Sequence, residues 1–365
     1  MTLTKRFFQR VTVGLCWLVA LSGTVGSVQA GEYAALRESL RARGMGGAFT
    51  AVANDEYALF YNPAGLRSVY YNIFTLVGAS FTVNKTTEDF SKESNASSAL
   101  SSYSGKNLYL EPIDLGLLSF VNSRFGWSFF GNSVFDFSID SISASNVDAT
   151  FKAYGQLGGV LGGAWSFLDH QLDFGISGKI ASRTGAETTV TVTEQAIIDA
   201  YVSQNTAALE NSIKTSYDKK TAYSADVGVV YHLESFYTLS PKLALSYLGG
   251  LDFGGAGKIP GTLNFGAATE SEFSGIDIIM AADYVDLLDA QKLTGSKLRL
   301  GFELGVEKLN NGHHIASFRI GHNGYLSSGI SLNLWKLKID YAQYSQTISS
   351  GLEDKRKSLG FSLVF

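Results

Sequence analysis

The chain has 365 residues, with 29 Lys and Arg against 33 Asp and Glu and a formal net charge of −4. That balance argues against nucleic acid as a partner, and a single cysteine, Cys16, excludes a disulfide framework. The composition is rich in Tyr (18), Phe (24) and Gly (39) and holds only 4 Pro. Aromatic and glycine enrichment of this kind is the profile of β-barrels, including those that span membranes.

Residues 1–30 read as a secretory signal. Lys5, Arg6 and Arg10 form a basic start, residues 11–28 carry no charge, and Val28-Gln29-Ala30 offers a cleavage site that leaves Gly31 first. Cleavage removes Cys16 and leaves 26 basic against 33 acidic residues, a net charge of −7. After this leader, no apolar run reaches the roughly 18 residues of a spanning helix.

Residues 31–66 form a separate unit. The stretch 42–66 is too small and glycine-rich for a core helix and too apolar for a free tail. A short helix over 32–43 is expected to stop at Gly44, and Gly46 and Gly47 let the backbone turn. Asn54 or Asp55 caps a second helix over 56–61. Asn62 precedes Pro63, which ends that helix, and Gly65 permits the turn onward. Two helical pieces with a glycine hinge and a proline-ended exit suit a plug folded inside a barrel. The candidate plug and gating residues are Arg41, Arg43, Gly44, Gly46, Gly47, Asp55, Asn62, Pro63 and Gly65.

Residues 67–365 alternate. Over 297–308, Leu298, Leu300, Phe302, Leu304 and Val306 interleave with Lys297, Arg299, Glu303 and Glu307, a period of two. In a membrane barrel the apolar set faces lipid and the charged set lines the lumen. The same pattern yields about 14 strands, at 71–84, 108–121, 124–138, 149–167, 171–183, 221–234, 241–250, 258–270, 275–286, 297–308, 313–322, 326–335, 336–346 and 355–365. In a soluble sandwich the apolar set would face inward, and the period alone does not choose. An alternating last strand ending in Phe365, the secretory signal and a mature chain without cysteine favour an all-β transmembrane antiparallel barrel with a small N-terminal helical plug. Lumen-facing candidates are Lys297, Arg299, Glu303, Glu307, Lys338 and Asp340, expected to pair with plug residues such as Arg41, Arg43 and Asp55. With the N-terminal unit on the periplasmic side, the even connections are short periplasmic turns, such as Asn122-Ser123 and Trp335-Lys336. The odd ones, at 85–107, 139–148, 184–220, 287–296 and 347–354, are longer outer loops, as such barrels require. Residues 194–214 are expected to form a surface helix. In 155–163, Gly158 and Gly162 face the lumen if Leu157 and Leu161 face lipid.

The residues Arg43-Gly44-Met45-Gly46-Gly47-Ala48-Phe49, Asn54-Asp55 and Asn62-Pro63-Ala64-Gly65-Leu66 resemble the N-terminal signature of the FadL-like superfamily. That superfamily includes outer-membrane fatty acid transporters and PorV/PorQ-type proteins. The last strand, with Leu359, Phe361, Leu363 and Phe365 on one face, resembles the C-terminal signal of bacterial outer-membrane barrels. The stretch from Phe318 to Leu326, continued by Asp340-Tyr341-Ala342, is similar to the PorV branch. The resemblance implies a 14-stranded barrel with a lumenal plug, in the bacterial outer membrane. It implies passive transport of hydrophobic or amphipathic small molecules or, alternatively, a non-transporting docking or shuttle barrel for secreted or envelope proteins. The expected partners are outer-membrane lipid and lipopolysaccharide, the barrel-assembly machinery acting on the strand that ends at Phe365, and a hydrophobic small-molecule ligand.

No catalytic residue, metal or cofactor is expected. The five histidines, His170, His232, His313, His314 and His322, lack metal-ligand spacing. Gly254 to Lys258 lacks the first glycine and the final Ser or Thr of a phosphate loop.

Overall fold

The computed structural model describes residues 33–92, 102–143, 146–193, 195–196, 216–235, 238–293, 295–309, 313–348 and 350–365. The expected leader and its cleavage site, and nearly all of the expected helix over 194–214, lie outside the described residues.

The strands are β1 (Ile73–Asn84), β2 (Asn107–Val121), β3 (Phe125–Ser143), β4 (Asn146–Phe167), β5 (Leu172–Thr193), β6 (Asp218–His232), β7 (Ser240–Leu248), β8 (Leu251–Asp252), β9 (Lys258–Ile259), β10 (Thr262–Phe273), β11 (Ile276–Tyr284), β12 (Leu298–Lys308), β13 (His314–His322), β14 (Leu326–Leu334), β15 (Leu337–Thr347) and β16 (Glu353–Val364). Fourteen of them close into one antiparallel barrel in which β1 pairs with β16, and β8 and β9 pair only with each other. Closure satisfies every strand edge, which is what makes a sheet tolerable in lipid.

Each of the fourteen expected strands has a counterpart. The expected strand 258–270 begins later, at Thr262. Gly257, at φ 88°, turns Lys258 and Ile259 back onto Asp252 and Leu251 instead.

The wall has its apolar side outward. On β4, Leu157 and Leu161 are 64% and 63% exposed. On β12, Arg299 and Glu303 are the buried side chains. Exposed Phe125, Phe167, Phe273 and Trp335 ring the end that carries the short turns, while Tyr223, Tyr247 and Tyr284 are exposed toward the other. An apolar band between aromatic girdles is the exterior of a barrel that sits in a bilayer.

Connections alternate in length. The short-turn end includes 122–124, 168–171 and 335–336, and the long-loop end includes 85–106, 194–217, 249–261 and 285–297. The tightest turns use left-handed backbone at Leu168, Asp169, His170 and Trp335.

The wall is uneven in height. β11, β13 and β14 have nine residues each, close to the roughly 9–11 a tilted spanning strand needs. β4 and β5 have 22 each. The excess carries β4 and β5 roughly 35–45 Å, and β3 roughly 25–35 Å, along the strand direction at ~3.3 Å per residue. Residues 139–143, 146–148 and 184–193, expected as outer loops, are therefore strand. On the face that carries Leu157 and Leu161 lower down, Val147, Ala149, Val190 and Val192 pack with Ile139, Phe137 and Tyr103. The lumen-side face is polar here, with Asp148 accepting from Ser141 (3.0 Å) and Thr191 (2.7 Å). At this height the apolar outer side chains are covered by protein, and the polar lumen side is exposed.

Leu161→Arg is expected to cost about 2–4 kcal/mol in urea titrations of the protein refolded in phospholipid vesicles, because it puts a guanidinium on the lipid face. A cost near zero would mean that this face is not in lipid.

Candidate functional site

Residues 33–72 lie inside the ring of strands. Short pieces of this one segment touch wall strands on all sides, and always on their inward face. Tyr33 and Ala34 start near the long-loop end, beside Thr262 and Gln291. The helix Leu40–Gly44 packs on β13–β16. The backbone N–H groups of Phe49 and Thr50 both donate to Asp283 on β11, at 2.7 Å. The turn Pro63–Ser68 packs on β4, β5 and β6 before the chain leaves at the short-turn end into β1. The segment leaves at the end that carries the short turns, but it is not confined to that end. Its start lies at the opposite end, because the segment runs the length of the lumen.

Local chemistry explains its shape. Ser39 accepts from Arg41 N (3.1 Å) and starts the first helix at Leu40, later than the expected residue 32. Gly46 and Gly47 take φ of 66° and 83°, which reverses the chain after Met45. The second helix spans Ala58–Tyr61, with Asp55 accepting from Tyr57 N (2.9 Å). Asn62 is extended at φ −159°, and its Oδ1 accepts from Ala64 N (3.1 Å) as Pro63 opens the next turn.

The wall makes room with glycine. Gly301 and Gly321 are register partners, and a methyl on Gly321 would overlap the Met45–Gly46 peptide. Gly175 and Gly228 are likewise opposite each other, under Pro63–Ala64 and Asn62. Gly44 approaches Gly329 Cα to 3.1 Å, counted from where its Cβ would be, and Gly65 closes on Ala53 O. Gly158 and Gly162 do face inward, against Phe130 and Leu59.

Buried ion pairs hold the segment. Glu303, 1% exposed, accepts from Arg41 Nε and Nη2 (2.8 Å each) and from Arg319 Nε (2.5 Å). Arg41 Nη1 donates to Asn54 (2.8 Å) and Asp55 (2.9 Å) of its own segment. Burial opposes the Arg41 charge, but Glu303 and Asp55 outweigh it and hold the guanidinium firmly protonated. Arg319 also donates to Ser331 (2.5 Å), which donates in turn to Asp340. Lys338 bridges Glu56 (3.2 Å) and Asp340 (3.5 Å). Arg43 pairs with Glu38 and Glu111 (3.1 Å each), and Arg37 with Asp114 (2.9 Å).

Of the expected lumen residues, Glu303, Lys338 and Asp340 belong to this network. Arg299 is buried too, its guanidinium 4.4 Å over the Tyr33 ring. Lys297 does not line the wall: it precedes β12 and binds Asp289 (2.6 Å) and Asp286 O (2.9 Å) in the adjoining loop. Glu307 is exposed. It sits at a left-handed φ of 45°, a local irregularity in an otherwise unshifted β12–β13 register, beside which Lys308 binds Asp277 (3.3 Å). Sequence reasoning missed Arg37, Glu56, Glu111, Asp114, Asp283 and Arg319. Asp283 and Arg319 stand at inward positions of recognisable alternating strands and could have been found that way. The others had no signal in their surroundings.

Below Arg41, Asn54 and Asp55 a polar cavity of ≈510 Å³ opens at the short-turn end, walled by Asp277, Lys308, His314 and Tyr71 among others. At the same rim, Asp173 accepts from Ser166 (2.5 Å) and bonds His232 (2.7 Å). The carboxylate lies between serine and histidine, so this cluster does not pair a nucleophile with a base.

No protein-family model and no curated sequence matches the chain. Solved structures do resemble it. A TodX deltaS2S3 mutant monoaromatic hydrocarbon channel is 12% identical at a TM-score of 0.50, over 91% of this chain and 98% of that one. The toluene transporter TbuX of Ralstonia pickettii is 12% identical at a TM-score of 0.50, over 90% and 97%. At that identity the likeness concerns the fold. The chain is thus a closed 14-stranded barrel with the fold of these two solved proteins, and fourteen is the strand number that its N-terminal resemblance implied.

Glu303→Ala is expected to destabilise the protein by about 3 kcal/mol, since it strands two buried guanidinium groups. Glu307→Ala is expected to change stability by less than about 0.5 kcal/mol. Urea unfolding of both variants checks the pair, and equal effects would dissolve the distinction between them.

His313, in the turn before β13, is pushed down to about 3 by burial, reinforced by Lys338. It stays neutral in the folded chain, while the unfolded chain takes up its proton below about 6.5. Its contribution to stability is therefore unchanged above about pH 6.5 and is lost as pH falls from there toward 3. Between about pH 8 and about pH 5 the wild type should lose on the order of 2 kcal/mol that His313→Gln does not lose. Parallel unfolding curves at the two pH values check this.

Proposed function

We propose that the protein is a plugged barrel of the bacterial outer membrane that passes hydrophobic or amphipathic small molecules inward without an energy source. Residues 33–66 are its plug. Lipid and lipopolysaccharide surround the apolar belt, and the barrel-assembly machinery engages the strand ending at Phe365. The carrying observation is how the lumen is filled: a discrete segment is tied to the wall by ion pairs around Glu303, directly above a ≈510 Å³ cavity. Buried ion pairs are worth little net free energy against their hydrated state. The segment can therefore let go and be rehydrated while the wall keeps all of its own hydrogen bonds. The fold shared with a hydrocarbon channel and a toluene transporter supports the cargo class.

A second reading has its own observation. The raised wall of β3–β5 stands above the short strands as a ledge with a polar lumen-side face. Such a ledge suits docking of a secreted or envelope protein by a barrel that transports nothing.

A disulfide separates the two. A Cβ on Gly360 lies 2.5 Å from Leu40 Cδ1, so the two positions adjoin and cysteines there face each other across the space that the Leu40 side chain fills. Cells carrying Leu40→Cys with Gly360→Cys should take up labelled toluene faster than protein-free cells when reduced, and at the protein-free rate when oxidised. Equal uptake in both redox states would sink the moving plug. Uptake no better than protein-free cells in either state would sink transport and favour docking.

A further inference from the structure

The long-loop half of the lumen holds a buried cation that no carboxylate among the described residues touches, although the charge of Glu187 further along β5 acts on it. Arg183 on β5 is 2% exposed, and among the described residues no carboxylate pairs with it. Its Nε and Nη2 both donate to Gln156 Oε1 (3.0 and 2.9 Å), and Nη1 reaches Ala256 O at 3.4 Å. A guanidinium has five N–H groups, so donors remain on both Nη atoms, the edge that grips an oxyanion with two parallel hydrogen bonds.

The group is held rigidly for that task. Its Cζ lies 3.8 Å from the Tyr154 ring centroid and 4.2 Å from that of Phe253. Phe253 belongs to the 251–259 loop, which β8 and β9 close, and which Asp218 fixes through Gly255 N (3.1 Å). Stacking between two rings recovers part of the cost of burying the charge but does not neutralise it.

Beside Arg183 lies a cavity of ≈80 Å³, lined also by Arg43, Lys152 and Lys258. At ~30 Å³ per water it has room for two or three water molecules, or for one small oxyanion in their place. The acids that share the lining are engaged elsewhere. Glu38 and Glu111 are taken by Arg43, and Asp136 accepts from Asn107 (3.1 Å). Lys258 is exposed, which marks the entry from the long-loop end.

We propose that this pocket is a binding site for a small oxyanion, a carboxylate or phosphate group, seated on the free Nη edge of Arg183 and met at the entrance by Lys258. The site is defined by binding alone and stands whether or not cargo crosses the barrel.

The test is calorimetric titration of the full chain in detergent with inorganic phosphate and, separately, with acetate. Saturable one-to-one binding of either anion is expected, and the one that binds identifies the class. Arg183→Gln should weaken it by about tenfold or more, the loss of a charged hydrogen-bonded pair. Arg183→Lys should fall between the two, keeping charge without the fork. Lys258→Ala, at an exposed position that cannot disturb the wall, should weaken binding several-fold with an unchanged unfolding curve. Two results overturn the proposal: no saturable binding of either anion by the wild type, or wild-type affinity in Arg183→Gln. Either would leave Arg183 as a stacked support for the 251–259 loop. Uptake of toluene is a separate readout, so loss of transport with retained anion binding would overturn only the transport reading.

Discussion

Glu303 held between Arg41 and Arg319 is the contact on which the interior is organised. A ring of strands whose outward side chains must suit lipid has only its inward side chains left for polar residues, and a lumen too narrow for bulk water makes each of their charges costly alone. Glu303 resolves this by facing one guanidinium from the wall and one from the N-terminal segment. The segment is thereby placed at a fixed height. Asp55 on the far side of Arg41 and Asp340 beyond Arg319 extend the same alternation of sign. The left-handed backbone at Glu307, two turns of the pleat away, ends it with that carboxylate exposed.

Fixing the segment at that height dictates the wall beside it. Where backbone meets backbone, as at Gly321 against Met45–Gly46 and Gly175 against Pro63–Ala64, no side chain fits. The segment brings its own apolar side chains, among them Met45, Phe49, Leu59 and Leu66, into a core that it shares with the inward face of the wall. The molecule thus has two apolar surfaces of different character: a continuous outer belt for lipid and a small inner core around the segment. Polar groups fill the space between them. This division is why the segment can be tied firmly yet remain separable. The wall's stability comes from a closed hydrogen-bond ladder that does not involve the segment.

The two halves of the lumen differ in charge economy. Toward the short turns, cations and carboxylates alternate and the cavity is bounded by both. Toward the long loops, Arg183 and Arg299 are buried against aromatic rings rather than carboxylates. Arg43 and Arg356 of the same half have both a ring and a carboxylate.

The wall was legible in the sequence because its rule is local. Lipid on one side and protein on the other impose a period of two on every spanning strand, so all fourteen strands could be placed, together with the inward set Glu303, Lys338 and Asp340. The rule failed where its cause was absent. Above the bilayer, residues 139–143 and 184–193 alternate between core and water and looked like loop. The turning residues of the N-terminal segment were equally legible, since Gly46, Gly47, Asn62 and Pro63 act on their own backbone. Its partners were not. Nothing near Arg41 in the chain names Glu303, 262 residues away. Pairings of that length are set by closure of the barrel and by the height at which the segment comes to rest. The sequence determined by itself a barrel of about fourteen strands with a folded N-terminal unit. Only the tertiary structure decided that this unit runs the full length of the lumen, and which charges it meets there. Strand alternation is a property of neighbours along the chain, and a salt bridge across a lumen is not.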